Sequence, residues 1–171
     1  KFEDLGPLKA KDTMFRIYRD VRFSKNKDPY KLNMSGMIAR EGRKAMVGFG
    51  YYVHFQPDES FMAAGVYEPN AEQLARIRQE IDYNSEELHA ILNEPEFKKL
   101  FGNMQGNQLK TAPKGYPKDH PDIALLRYTQ FYFMTSFSND EVLTPGFPAE
   151  LAHRCQVIRP FLAYINRAIE P

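Results

Sequence analysis

Tryptophan is absent from this chain of 171 residues, and cysteine occurs once, at Cys155. A single cysteine cannot close an internal disulfide, and it cannot anchor a cysteine-rich zinc or iron–sulfur centre. The histidines are His54, His89, His120 and His153, and none stands in a His-x-His or His-Glu-x-x-His pattern. A metal site therefore has no motif to rest on, and neither metal nor cofactor is expected. Long apolar runs are missing too. Candidates such as residues 161–165 fall far short of the roughly 18 residues of a membrane helix. The opening Lys1-Phe2-Glu3-Asp4 lacks the apolar stretch of a secretory signal, as a processed chain also would. Neither a Gly-x-Ser-x-Gly elbow nor a Walker loop occurs. These absences predict a soluble, cytoplasmic domain spanning residues 1–171, long enough for one sizeable core.

Net charge is also nearly absent, at +1 from 23 Lys and Arg against 22 Asp and Glu. The balance is not uniform. Residues 1–50 hold 12 basic and 6 acidic side chains, a net of +6, and the remaining 121 residues carry a net of −5. Such asymmetry points to an anionic partner for one end of the molecule, or to surfaces of opposite sign that face each other.

Hydrophobic periodicity orders the elements. Residues 14–23 alternate with period two, placing Phe15, Ile17, Val21 and Phe23 on one face, which predicts a strand. A polar turn follows at 24–29, and a second strand within 32–40 ends at the Glu41-Gly42-Arg43 turn. Aromatic-rich runs at 50–56 and 61–67, joined by Pro57-Asp58-Glu59-Ser60, predict a hairpin. Asn70 with Gln73, and Asn84 with Glu87, are capping pairs for two helices, the first carrying Leu74, Ile77 and Ile81 on one face. Asn93-Glu94-Pro95 opens a third helix that Gly102 ends. A long Gly/Pro/Lys loop covers 102–119, one or two helical turns fit 121–126, and 127–137 is a late strand. Leu151, Cys155, Ile158, Leu162, Ile165 and Ile169 then form the stripe of a long amphipathic helix, with Pro160 as its expected kink. The expected fold class is α+β: an antiparallel sheet of about five strands, helices mainly on one face, and a long C-terminal helix.

The chemistry concentrates at 16–31, where Arg16, Arg19, Arg22, Lys25, Lys27 and Lys31 stand among Asp20 and Asp28. On a strand, Arg16, Asp20 and Arg22 would point the same way. A carboxylate between guanidinium groups can fix one of them by a bidentate pair and leave other donors to a ligand. Arg19 falls on the apolar face, where it needs a partner or a ligand. Two acidic side chains cannot neutralise six cations, so an anion-binding constellation is favoured over a purely internal Arg–Asp network.

The run Arg-x-x-Arg-Asp-x-Arg-Phe at 16–23, followed by Asn-Lys-x-x-Tyr at 26–30, resembles the signature of an uncharacterised bacterial and fungal family, domain of unknown function 2461. The resemblance continues through Gly50-Tyr51-Tyr52-Val53-His54-Phe55 and Ser60-Phe61-Met62-Ala63-Ala64-Gly65-Val66-Tyr67, then at 109–121 and 125–128. It implies no particular activity. Members carry about fifty further residues ahead of this point, including a helical segment, so it implies an N-terminally truncated domain with an exposed apolar patch. That missing segment would be a partner of the chain. The family's Phe-Gly after the Tyr-Lys turn is here Met34-Ser35-Gly36, a local departure.

A second basic segment carries Lys110, Lys114 and Lys118 at every fourth position, with Tyr116 and His120 interleaved and Arg127 shortly after. Pro113 and Pro117 exclude a helix face, so an extended segment is expected, able to close over an anion held at 16–31.

Three readings compete. In the first, a small phosphorylated or carboxylated ligand or substrate is held by Arg16, Arg19, Arg22, Lys25, Lys27, Lys31, Lys110, Lys114 and Arg127. Asp20, Tyr30 and His120 are then the catalytic candidates. In the second, the same surface binds nucleic acid, with Tyr18, Phe23, Tyr30, Tyr51 and Tyr52 available to stack on bases. In the third, the motif is a structural network. One site requires that 16–31 and 110–118 lie together.

Overall fold

A computed structural model of the chain describes residues 8–39, 42 and 50–169. Strands β1 (Met34–Ile38), β2 (Gly50–Phe55), β3 (Ser60–Val66) and β4 (Phe131–Phe137) form one antiparallel sheet in chain order. Helices α1 (Ala10–Thr13), α2 (Ala71–Tyr83), α3 (Ser85–Asn93), α4 (Pro95–Phe101), α5 (Ile123–Leu126), α6 (Asn139–Leu143) and α7 (Phe147–Ile169) complete the described elements. The α+β class holds, with four strands where about five were expected. The turn expected at Glu41-Gly42-Arg43 lies outside the described residues except for Gly42.

Alternation decides which sheet face is the core. In β3 the buried positions are Ser60, Met62, Ala64 and Val66, and in β4 they are Phe131, Phe133, Thr135 and Phe137. Phe133 meets Phe97 of α4 and Phe161 of α7 edge-on, each at 4.9 Å between ring centroids. Burying one such side chain contributes about 1.5–3 kcal/mol, so these rings are a main tie between sheet and helices. The opposite face carries Tyr52, His54 and Phe61, with His54 stacked on Phe61 at 4.9 Å. Gly65, at φ 135°, lies so close to β4 that a methyl group there would sit 2.2 Å from the Phe131 carbonyl oxygen. Only glycine allows that approach.

Local signals place the helices. Asn70 and Gln73 form the expected capping box on α2. Glu94 caps α4 by accepting the Phe97 N–H at 2.6 Å, with Pro95 at the first helical position and Gly102 ending the helix at φ 62°. The α7 stripe is buried from Cys155 to Ile169, with Leu151 half-buried at its start. Asn84 departs from its expected role. Its side chain turns back to Glu80 Oε1 at 3.1 Å and does not cap α3.

The expected strand over 14–23 does not form. Met14 and Tyr18 make only isolated bridges, to Gly36 and Tyr30. The Asp20 carboxylate accepts the Arg22 N–H at 3.2 Å, and Lys27 Nζ donates to the Val21 carbonyl at 2.9 Å. Side chains thus occupy backbone groups that a ladder would need, and the chain curls away. Its apolar residues are not core. Phe23 is 94% exposed.

Candidate functional site

Residues 14–36 form a loose hairpin along the edge of β1. Phe15 N–H donates to the Ser35 carbonyl, Lys31 N–H to that of Ile17, and Arg19 N–H to that of Pro29, at 2.8–2.9 Å. Tyr18 and Tyr30 face each other across the legs, 5.4 Å between ring centroids. At the tip, Arg22 grips Asp20 through Nε at 2.9 Å and Nη2 at 2.7 Å, the bidentate geometry expected for this pair. The Arg22 hydrogen bonds hold the Asp20 carboxyl below its usual range, and Arg16 adds to that through space. Asn26 accepts the Asp28 N–H, and Arg19, half-buried, reaches Ser24 Oγ at 3.5 Å. The side chains of Arg16, Lys25 and Lys31 have no hydrogen bond or ion pair among the described residues. Half of the hairpin's cations therefore remain without such a partner.

A cleft of about 970 Å³ opens beside this hairpin. The hairpin supplies Met14, Ile17, Tyr30, Lys31 and Leu32, the sheet Val53 and Phe55, and the helices Val142, Leu143 and Leu151. The β2–β3 turn closes one end. Asn139 braces it, accepting the Asp58 N–H at 2.8 Å and donating to Asp58 Oδ1 at 2.7 Å. The exposed surface of the lining is mostly apolar, and Tyr30 and Lys31 are among the polar side chains at its edge, with Asn33, Gln56 and Asn139.

The second basic segment lies elsewhere. Gln105 bridges to Tyr132 and Gln108 to Tyr128, so the loop before it runs along the β4 edge, across the sheet from the hairpin. Five strand spacings of about 4.8 Å separate the two edge segments, on the order of 20 Å in all. The hairpin also extends past the Met34 end of its strand, and the Lys loop lies toward the Phe131 end of β4. Lys110, Lys114 and Lys118 are exposed at that corner, and Arg127 Nε is spent on the Leu109 carbonyl at 2.6 Å. The two segments do not form one site.

His120 is likewise committed at the far corner. Its Nδ1 accepts the Asp122 N–H at 3.0 Å, and its Nε2 meets Asp82 Oδ1 at 2.9 Å. That pattern assigns the neutral ring's proton to Nε2 and leaves no lone pair for a reaction. Beside it, burial first and then Asp82 push the Tyr116 hydroxyl up, while desolvation pushes Arg78 down as it donates to the Leu126 and Tyr128 carbonyls. This corner pins the Lys loop to α2. Of the catalytic candidates, Tyr30 alone lines the cleft; Asp20 sits at the hairpin tip and His120 across the molecule.

A family described as a conserved hypothetical protein (DUF2461) matches residues 2–164. The chain belongs to this family. The match runs from residue 2, so it lends no support to the expectation that a leading segment of the DUF2461 domain is missing. No curated protein and no solved structure matches the chain. Among the described residues of this DUF2461 domain, no helix is long and apolar enough to cross a membrane. No group of three or more His, Cys, Asp or Glu side chains among them could hold a metal ion.

The cleft itself was not legible from sequence, because its walls come from segments more than a hundred residues apart. One signal did exist. Ser138 and Glu141 form a capping box on α6, a Ser-x-x-Glu pattern that marks the helix lining the cleft.

Proposed function

We propose that this domain is a binding module for an anionic ligand, taken at the hairpin of residues 16–31 where it borders the cleft. The observation that carries the reading is the charge left over: the side chains of Arg16, Lys25 and Lys31 have no hydrogen bond or ion pair among the described residues. An internal Arg–Asp network accounts for Arg22, and Lys27 is tied to backbone, but neither contact uses the other cations. Binding is favoured over catalysis, since the described cleft lining contains no His, Asp or Glu to pair with Tyr30. A cytoplasmic setting fits a chain whose single cysteine, Cys155, can close no internal disulfide.

Thermal unfolding in the presence of phosphate, citrate and nucleotides tests the reading. Stabilisation that rises with ligand concentration, and that Arg16→Ala and Lys31→Ala reduce, is the expected result. No shift with any anion, from a protein whose variants melt as the wild type does, would remove it.

One observation favours nucleic acid as the second reading. Phe23 is 94% exposed, with the Arg22 guanidinium 5.8 Å from its ring, and Tyr18 and Tyr30 are each more than half exposed. Exposed rings interleaved with cations can stack on unpaired bases. Single-stranded oligonucleotide binding that weakens steeply with salt, and that Phe23→Ala reduces, would move the assignment there.

A further inference from the structure

We propose that the cleft takes the hydrocarbon chain of a free long-chain carboxylate, with its head group paired to Lys31; this rests on the anion-binding reading and specifies its ligand. Two features of the same space ask for different chemistry. The walls are apolar, and Leu32 and Leu143, which border the cleft, are 84% and 81% exposed. Contiguous apolar surface of this kind marks a binding site more often than bare protein surface. Among the described residues Lys31 is the one charged side chain in the lining, and its ammonium group has no hydrogen bond or ion pair there. An inorganic anion would answer Lys31 and leave the walls wet. A neutral hydrocarbon would cover the walls and leave the ammonium without a counter-charge. A carboxylate on a long chain answers both.

The dimensions agree with a single small molecule. A volume of about 970 Å³ falls at the upper end of the range that accommodates one ligand. The hairpin and the α6–α7 wall make the space concave, which suits a dissolved amphiphile better than the flat surface of a bilayer.

The experiment is calorimetric titration of the protein with octanoate, decanoate, dodecanoate and hexadecanoate below their micelle concentrations. Alcohols of matched length and inorganic phosphate serve as separate arms. Each buried methylene contributes about 0.8 kcal/mol, so Kd should tighten up to about fourfold per carbon until the cleft is filled. The alcohols should bind several-fold more weakly. Lys31→Ala should erase the difference between acid and alcohol, and Leu143→Glu, at an exposed position that folding does not need, should weaken both. Several outcomes would overturn the proposal. Phosphate binding without carboxylate binding, or affinity that ignores chain length, removes the carboxylate ligand and leaves the anion-binding reading intact. Failure of every anion removes both. Binding of anionic lipid vesicles without the free acids assigns the cleft to a membrane surface, and wild-type affinity in Leu143→Glu places the ligand elsewhere.

Discussion

Arg154, in the core between α7 and β4, donates to Glu150 at 2.7 Å, Thr135 at 2.8 Å, the Ser136 carbonyl at 3.1 Å and Glu141 at 3.1 Å. Its guanidinium also lies 4.3 Å from the Phe137 ring centroid. The hairpin at 16–31 handles charge differently: Arg22 holds Asp20 in the open, and the side chains of Arg16, Lys25 and Lys31 make no hydrogen bond or ion pair among the described residues. A buried cation must be fully paired or it destabilises the fold, whereas an exposed one costs little to leave unpaired. Charge that the fold does not consume is what a ligand can use. Arginine counts in the sequence do not separate the two cases, since residues 16–31 and α7 hold three arginines each.

Breaking the buried region should have the largest effect. Arg154→Ala strands Glu150, Glu141 and Thr135 together and should cost about 2–4 kcal/mol, a fall of roughly 5–15 °C in Tm by calorimetry. Next comes Gly65→Ala, whose methyl group meets the β4 backbone at a φ that side chains rarely adopt. A loss of about 2 kcal/mol in denaturant unfolding is expected. Asp122 gives a smaller, pH-dependent effect. Burial alone would raise its pKa, but hydrogen bonds from His89 and Ser85 outweigh that and hold it low. A lowered folded-state pKa adds stability above the unfolded value near 3.9 and loses it as pH falls through the folded value. Asp122→Asn should therefore cost about 1 kcal/mol at pH 7, and urea melts of mutant and wild type should converge as the pH drops below about 4. Smallest of all, Lys25→Ala should leave Tm unchanged while weakening anion binding. A marked loss of stability there would erase the contrast between the regions.

Much of the fold was legible where local chemistry decides the outcome. The 50–67 hairpin, the Asn70–Gln73 box, the Glu94-Pro95 start with its Gly102 stop, and the α7 stripe all follow from short-range sequence signals. Residues 14–23 misled because alternation records only side-chain polarity, and the Asp20 and Lys27 side chains compete for the backbone. The basic motif was legible as a cluster, and the Asp20–Arg22 pair formed, although not on the strand from which it was expected. Its supposed union with Lys110 and Lys114 was not legible, because sheet order puts them at opposite edges. Nor could spacing reveal that His120 spends both ring nitrogens on Asp82 and the Asp122 backbone.

The most direct test follows backbone amide resonances while phosphate is titrated into the protein. The account predicts saturable shifts confined to residues 16–33 and the adjoining cleft, with 110–118 unmoved. Shifts centred on Lys110, Lys114 and Lys118, or none at the hairpin at saturating phosphate, would contradict it.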